Sequence, residues 1–289
     1  KKNLNFIVDE NIIYVADNLG YLYAYNYIID KVLWAKNYKI PFRSNIKILN
    51  NKIMVSNQNN SLFFFNKKNG DLLKLIPTEE TIIKNQFINN LSTDSLNTLF
   101  FLNSYGSLYS FNIETMKVNW FLNLNQTLEL NPSNLFFGNQ IVNNKNKIII
   151  SSNKNTYIID IKTGSILNKK NFSSLIKPII QNDYVFFITK NNLIISMNLN
   201  SGKIIYSYDI NQQISDFLNT KKKNVQFKDF ILANNEIIIF LKNSYILNYK
   251  INGKLKDVKK LPSKINSQPI FINSSLLFLN KKNKILILD

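Results

Sequence analysis

Short apolar runs separated by polar turns dominate the sequence. In residues 11–34, an apolar run at 12–16 precedes a turn at 17–20, a second run covers 21–25, and a third ends at Trp34. Runs of four to eight residues that are rich in β-branched and aromatic side chains, and bounded by turn residues, predict β-strands. The segment is therefore predicted to form an antiparallel three-strand meander.

The same pattern recurs along the whole chain. If Asn26 marks the end of the second run, the equivalent positions recur about every 44 residues, which is a spacing typical of propeller blades. These marks are Asn26, Asn66, Asn112, Asp160, Asn198, Tyr249 and Asp289.

Glycine placement supports this repeat. Six of the seven glycines fall at two repeat-equivalent positions. The first position, four residues after the mark, carries Gly70, Gly164, Gly202 and Gly253. The second, six residues before the mark, carries Gly20 and Gly106, and in the other copies Asn60, Lys154, Asn192, Asn243 and Asn283. Because Gly and Asn tolerate positive φ, we predict two tight turns in each repeat.

These observations predict an all-β fold, a β-propeller of four-stranded antiparallel blades. Seven copies are visible, and they are compatible with a seven-bladed or an eight-bladed ring. We assign residues 1–289 to a single domain, in which the last copy stops after its third strand and a polar segment at 211–224 separates two copies. The repeats are expected at approximately 4–36, 42–76, 82–124, 136–172, 177–210, 227–261 and 268–289.

A net charge of +18 would normally suggest binding to nucleic acid or an anionic membrane. Only Arg43 among the 36 basic residues is an arginine, whereas proteins that read nucleic acid favour the bidentate guanidinium. We therefore predict a solvated lysine surface and no nucleic-acid partner. Lys221, Lys222 and Lys223 are expected to lie in a solvated loop.

Candidate catalytic chemistry is sparse. The chain has no Cys and no His, which excludes thiolate metal sites, disulfides and Ser-His-Asp catalysis within it. The adjacent carboxylates at 9–10 and 79–80 are predicted to lie in solvated turns. No apolar run reaches the roughly 18 residues of a membrane span. The chain opens at Lys1 without an initiator Met, so we expect it to be processed or trimmed, with room for a signal peptide in the missing segment.

The repeat core resembles that of the pyrroloquinoline-quinone (PQQ)-type propellers. Its D/N-x-x-T/S/N-G pattern is best matched at residues 160–164 and 198–203. In that superfamily an aromatic residue four positions after the Gly docks between neighbouring blades. The resemblance assigns this inter-blade docking role to Trp34, Trp120 and Tyr206, while the other copies carry Lys74, Asn168 and Asp257.

Within the superfamily, nearly the whole chain resembles the BamB family of outer-membrane assembly lipoproteins. The segments 11–34 and 228–253 resemble an early and a late blade of that family. A family loop with a Leu-x-Leu-Arg pattern, which contacts the barrel-assembly subunit, falls on Leu128, Glu129, Leu130 and Asn131, where Asn131 replaces the Arg. A second family feature, an acidic pair before the next blade, is replaced here by Ser173 and Leu175.

The resemblance implies a non-catalytic scaffold in the periplasm, associated with the outer membrane through a lipid anchor outside these residues. It implies a monomer within a hetero-complex, with the barrel-assembly subunit as partner, unfolded outer-membrane proteins as further candidates, and no cofactor. From the residues alone, Leu128 and Leu130 could equally be strand residues that face a core. Two alternatives stay open, namely a PQQ- and Ca²⁺-dependent dehydrogenase and a generic protein-binding propeller of another complex.

Overall fold

The computed structural model describes residues 4–80, 89–125, 135–152, 154–174, 176–272 and 275–288. Within these ranges the chain forms seven antiparallel sheets and one helix. We number the sheets as blades 1 to 7 in chain order. The chain divides into two compact units, residues 1–171 with blades 1 to 4 and residues 172–289 with blades 5 to 7. Our assignment of the whole chain to one domain stays a prediction.

The blades of the first unit are meanders of four strands in chain order. Blade 1 has β1 (Leu4–Asp9), β2 (Ile12–Asp17), β3 (Tyr21–Asn26) and β4 (Lys31–Asn37). Blade 2 has β5 (Lys47–Leu49), β6 (Lys52–Ser56), β7 (Leu62–Asn66) and β8 (Leu72–Ile76). Blade 3 has β9 (Asn90–Thr93), β10 (Thr98–Leu102), β11 (Ser107–Asn112) and β12 (Lys117–Asn123). Blade 4 has β13 (Val142–Asn143), β14 (Lys147–Ser151), β15 (Thr156–Asp160) and β16 (Ile166–Lys170).

The second unit continues the pattern. Blade 5 has β17 (Ile179–Gln181), β18 (Tyr184–Ile188), β19 (Leu193–Asn198) and β20 (Ile204–Asp209), which is followed by α1 (Ile210–Leu218). Blade 6 has β21 (Phe227–Ala233), β22 (Glu236–Leu241), β23 (Tyr245–Lys250) and β24 (Leu255–Lys260). Blade 7 has β25 (Ile270–Ile272), β26 (Ser275–Leu279) and β27 (Ile285–Leu288). The predicted all-β propeller of antiparallel blades is confirmed.

The core lies between successive blades. In blade 2 the two middle strands β6 and β7 are almost wholly buried, whereas the fourth strand β8 is largely exposed. Buried side chains from β6 and β7 form one apolar cluster with blade 1 and another with blade 3. Middle strands that are covered on both faces explain why the sequence shows continuous apolar runs there rather than strict alternation.

Positive φ occurs at both predicted turn positions. At the first, Gly70 and Gly164 adopt φ +74°, and in blades where glycine is absent Asp30 and Met116 take φ +52°. At the second, Gly20 and Gly106 adopt φ +88° and +84°, and Asn60, Asn192 and Asn283 take φ between +58° and +65°. Residues other than glycine also adopt these turns, and their Cβ atoms make the positive φ costly in backbone strain.

The predicted position of one turn is wrong. In blade 6 the residue with positive φ is Ser244, at +73°, rather than the expected Asn243. The strand β23 ends at Lys250, so the register mark of this blade is Lys250 and not Tyr249. The turn that follows is one residue shorter than in other blades. The Gly253 N–H donates to the carbonyl of Lys250, three residues back, whereas Gly70 donates to a carbonyl four residues back.

The polar segment between blades 5 and 6 contains the helix α1, which the sequence argument missed. Asp209 caps it, with its Oδ1 accepting the Gln212 N–H at 3.1 Å, and Ile210 anchors it in the core. The Lys222 Nζ lies 2.6 Å from the other oxygen of Asp209. An Asp followed three residues later by Gln resembles a capping box, and this signal was present in the sequence.

Candidate functional site

The candidate site lies at one end of each blade, where the turn between its second and third strands meets the connection to the next blade. Because the strands are antiparallel, these two segments leave the sheet at the same end. We call this the connection end. In blades 1 to 3 its turns are fixed by a short polar side chain. Asp17 Oδ1 accepts the N–H groups of Leu19 at 2.9 Å and Tyr21 at 2.8 Å, and Asn57 and Asn103 accept equivalent pairs. Such turns hold loops at fixed positions.

The predicted partner-binding residues, Leu128, Glu129, Leu130 and Asn131, lie outside the described residues, in segment 126–134. Both flanks of this segment are anchored on the turn of blade 3. The Leu124 N–H donates to the Gly106 carbonyl at 2.9 Å, and the Phe136 N–H donates to the Ser104 carbonyl at 2.8 Å. Leu124 and Phe136 are also buried. The two described flanks therefore lie at the connection end of blade 3.

The connection from blade 2 to blade 3 carries a partly buried polar network. The carboxylate of Glu79 accepts hydrogen bonds from Asn103 Nδ2 at 2.6 Å, Ser107 Oγ at 2.6 Å and the Tyr109 hydroxyl at 3.0 Å. Burial raises the pKa of Tyr109, and the Glu79 carboxylate raises it further. The prediction that Glu79 lies in a solvated turn is wrong, because this side chain ties the connection to three residues of blade 3.

The two predicted docking tryptophans each lie over a turn glycine of the next blade. Trp34 of blade 1 lies so close to Gly70 that a methyl group there would be 2.6 Å from its ring, and Trp120 of blade 3 lies equally close to Gly164. The Trp120 Nε1–H also donates to the Ile161 carbonyl at 3.1 Å. The indole thus fills the space that a side chain at the glycine position would occupy.

Tyr206 of blade 5 lies over Gly253 of blade 6 in the same way, and its hydroxyl donates to the Ile251 carbonyl at 2.8 Å. At the equivalent place in blade 2, Lys74 donates from Nζ to the Met116 carbonyl of blade 3 at 2.8 Å. A lysine can therefore reach the neighbouring turn in place of an aromatic ring. This contact was not predicted from the sequence, because only aromatic side chains were expected at the docking position.

Among the described residues, no group of three or more Asp, Glu, His or Cys side chains is placed to hold a metal ion. In the same ranges, no helix has both the length and the apolar character needed to cross a membrane.

Comparison with known proteins places these features in context. The model of a family described as outer membrane protein assembly factor BamB matches residues 3–208. The structure of BamB from Moraxella catarrhalis superimposes with a TM-score of 0.77 at 11% identity, covering 99% of this chain and 83% of that one. A computationally designed protein, Ika8, gives a TM-score of 0.51 at 11% identity, covering 98% and 95% of the two chains. No curated protein sequence matches the chain.

Proposed function

Since the chain belongs to the BamB family of outer membrane protein assembly factors, we propose that it is a non-catalytic scaffold of the outer-membrane barrel assembly machinery. In this proposal the protein works in the periplasm at the outer membrane, held by a lipid anchor outside the 289 residues. Its partner is the barrel-assembly subunit, and unfolded outer-membrane proteins are further candidate clients. The observation that carries the proposal is the family match over residues 3–208. The likeness to BamB from Moraxella catarrhalis supports the shared fold.

We place the docking surface on the loop that contains Leu128, Glu129, Leu130 and Asn131. Support comes from the fixed anchors on both sides of it. Leu124 and Phe136 are buried and hydrogen-bonded to the turn of blade 3, so the loop is presented from a rigid base. A loop whose two ends are fixed loses less conformational entropy on binding than one with free ends, and apolar side chains rimmed by polar ones form a compact contact patch.

Capture of the soluble periplasmic domain of the cognate barrel-assembly subunit tests the proposal. We expect the parent to bind, and a Leu128→Asp, Leu130→Asp variant to bind at least tenfold more weakly, which corresponds to about 1.4 kcal/mol. The matched control is Asn125→Asp, Gln126→Asp, which adds the same charge beside the loop and keeps both leucines. Its affinity should stay within about threefold of the parent, since rim charges mostly change the rate of association.

Circular dichroism of every variant shows whether a loss of binding reflects unfolding. No binding by a folded parent would refute the assembly role as stated. If the leucine variant and the charge control lose the same affinity, the leucines are not the docking surface. Nothing in the described residues favours the quinoprotein alternative, and dye-coupled alcohol oxidation with added PQQ and Ca²⁺ tests it directly.

A further inference from the structure

A cavity of about 370 Å³ lies between blades 6 and 7, within the second compact unit. Its walls are largely apolar, with Ile238 and Ile246 on blade 6 and Phe271, Leu276 and Leu288 on blade 7. Its polar lining is Glu236, Asn248, Lys259 and Lys260 of blade 6. The Glu236 carboxylate is paired with Lys256. Its volume falls in the range of pockets that bind small ligands or single side chains.

Blade 6 lacks an aromatic docking side chain on the face that borders this cavity. In blades 1, 3 and 5, the residues paired across the second, third and fourth strands form a row that ends in an aromatic ring. These rows are Tyr14–Ala24–Trp34, Phe100–Ser110–Trp120 and Phe186–Ser196–Tyr206. In blade 6 the same row is Ile238–Asn248–Asp257. Asp257 turns instead towards Lys259, with 3.3 Å between Oδ2 and Nζ.

The opposite wall carries an apolar row like the one on blade 2. On blade 7 the paired residues are Phe271, Leu276 and Leu288. On blade 2 the equivalent row is Ile48, Ile53 and Phe65, and Trp34 packs against the cluster to which these residues belong. The junction of blades 6 and 7 therefore has the apolar wall of the junction of blades 1 and 2, without the ring that covers it. An aromatic side chain is the ligand that fits this geometry.

A basic cleft adjoins the cavity. It has a volume of about 430 Å³ and is lined by four lysines, Lys264, Lys281, Lys282 and Lys284, together with Ser263 and Asn280. Residues 261–264 join the two spaces, because Leu261 and Pro262 line the first and Ser263 and Lys264 line the second. Among the described residues, no carboxylate lines the cleft, and the buried Ser263 Oγ has no hydrogen-bond partner. Four cations without a facing anion favour a negatively charged ligand.

We propose that this groove binds a short acidic segment of a partner polypeptide, whose aromatic side chain takes the place of the docking ring that blade 6 lacks. The ring enters the apolar cavity between blades 6 and 7, and the flanking carboxylates lie along Lys264, Lys281, Lys282 and Lys284. A polypeptide fits better than an anionic lipid because the equivalent row on blade 2 belongs to a junction that already holds an aromatic side chain, Trp34. This site is separate from the loop at 126–134, and it does not depend on the proposed assembly role.

Fluorescence anisotropy of the full chain with a fluorescein-labelled peptide, Asp-Glu-Trp-Asp-Glu, tests the proposal. We expect saturable binding, weakened at least tenfold when the peptide Trp is replaced by Ala. The variant Asn248→Phe should fill the cavity and also weaken binding at least tenfold. The control Asn248→Ser, which copies the small residue of blades 3 and 5, should stay within threefold of the parent. The surface variant Lys281→Glu, Lys282→Glu should weaken binding at least tenfold without touching the core.

Four results would overturn the proposal. The first is no saturable binding of the parent peptide. The second is equal binding of the Trp and Ala peptides. The third is unchanged binding by both the Lys281→Glu, Lys282→Glu variant and a folded Asn248→Phe variant. Binding to phosphatidylglycerol vesicles that the peptide does not displace would assign the groove to lipid and would also overturn it.

Discussion

Replacement of Gly164 by Ala tests whether the indole of Trp120 locks blade 3 onto blade 4. Two costs are expected. Gly164 adopts φ +74°, where a residue with a Cβ loses about 1 to 2 kcal/mol. The new methyl group would also lie 2.6 Å from Trp120 Cε3 and 2.8 Å from Cδ2, and overpacking of this kind costs about 1 to 3 kcal/mol. We therefore expect Gly164→Ala to lower the free energy of unfolding by about 3 kcal/mol.

A double-mutant cycle separates these two costs. Trp120→Ala removes the ring and its hydrogen bond to the Ile161 carbonyl, and we expect it alone to cost about 3 kcal/mol, at the low end of the range for buried Trp because the side chain is half-buried. In that background Gly164→Ala should cost only the backbone term, about 1 kcal/mol. The two substitutions should therefore be non-additive by about 2 kcal/mol. Gly202→Ala is the matched control, since Gly202 has φ +66° and the preceding blade carries Asn168 at the docking position.

Urea unfolding followed by circular dichroism, with linear extrapolation to water, measures each corner of the cycle. If the costs of Gly164→Ala and Trp120→Ala add to within about 0.5 kcal/mol, the proposed contact is refuted. A methyl group that meets the indole must cost less once the indole is gone. An equal cost for Gly202→Ala, at a similar positive φ of +66°, would also refute the role of the ring, since the sequence carries Asn168 and no aromatic residue at the preceding docking position.

Three further predictions follow from the described side chains. Glu79→Gln should cost about 1 to 2 kcal/mol because two buried donors, Asn103 and Ser107, and the half-buried Tyr109 hydroxyl lose a charged acceptor. The exposed Glu80→Gln should change the unfolding free energy by less than about 0.5 kcal/mol, and equal effects in urea unfolding would contradict the network. Asp209→Ala should cost about 1 kcal/mol through loss of the α1 cap, while Asp209→Asn, which keeps a capping oxygen, should cost less in the same assay. Burial raises the pKa of Tyr109, Tyr206 and Tyr249, so the folded chain holds protons that the unfolded chain releases above the ordinary value of about 10. The free energy of unfolding should therefore fall as the pH rises above about 10, and a flat profile between pH 9 and 11 would contradict the burial of these hydroxyls.

Contacts that close within one blade were predictable from the sequence. The turns depend on residues four to six apart, and glycine or asparagine at fixed offsets from the register mark identifies them. The same local rule failed in blade 6, because the turn after Lys250 is one residue shorter and two adjacent positions, Asn243 and Ser244, both suit a turn. The pairing of β23 with β22 and β24 selects Ser244.

The candidate site was less accessible to sequence reasoning. Glu79 looked like a solvated turn residue because its three donors follow it by 24 to 30 positions, and Lys74 looked like a lost docking residue because its acceptor lies 42 positions away. The capping signal at Asp209 was present, but the polar composition of the segment obscured it.

The sequence by itself determined the repeat, the strand order within each blade and the positions of the turn glycines. All of these depend on short-range sterics and on the spacing of apolar residues, and both can be seen within the sequence of a single repeat. Only the tertiary structure decided what lies between the blades. There, each surface is built from two repeats, so the cavity depends on Ile238 and Asn248 of blade 6 together with the apolar row of blade 7.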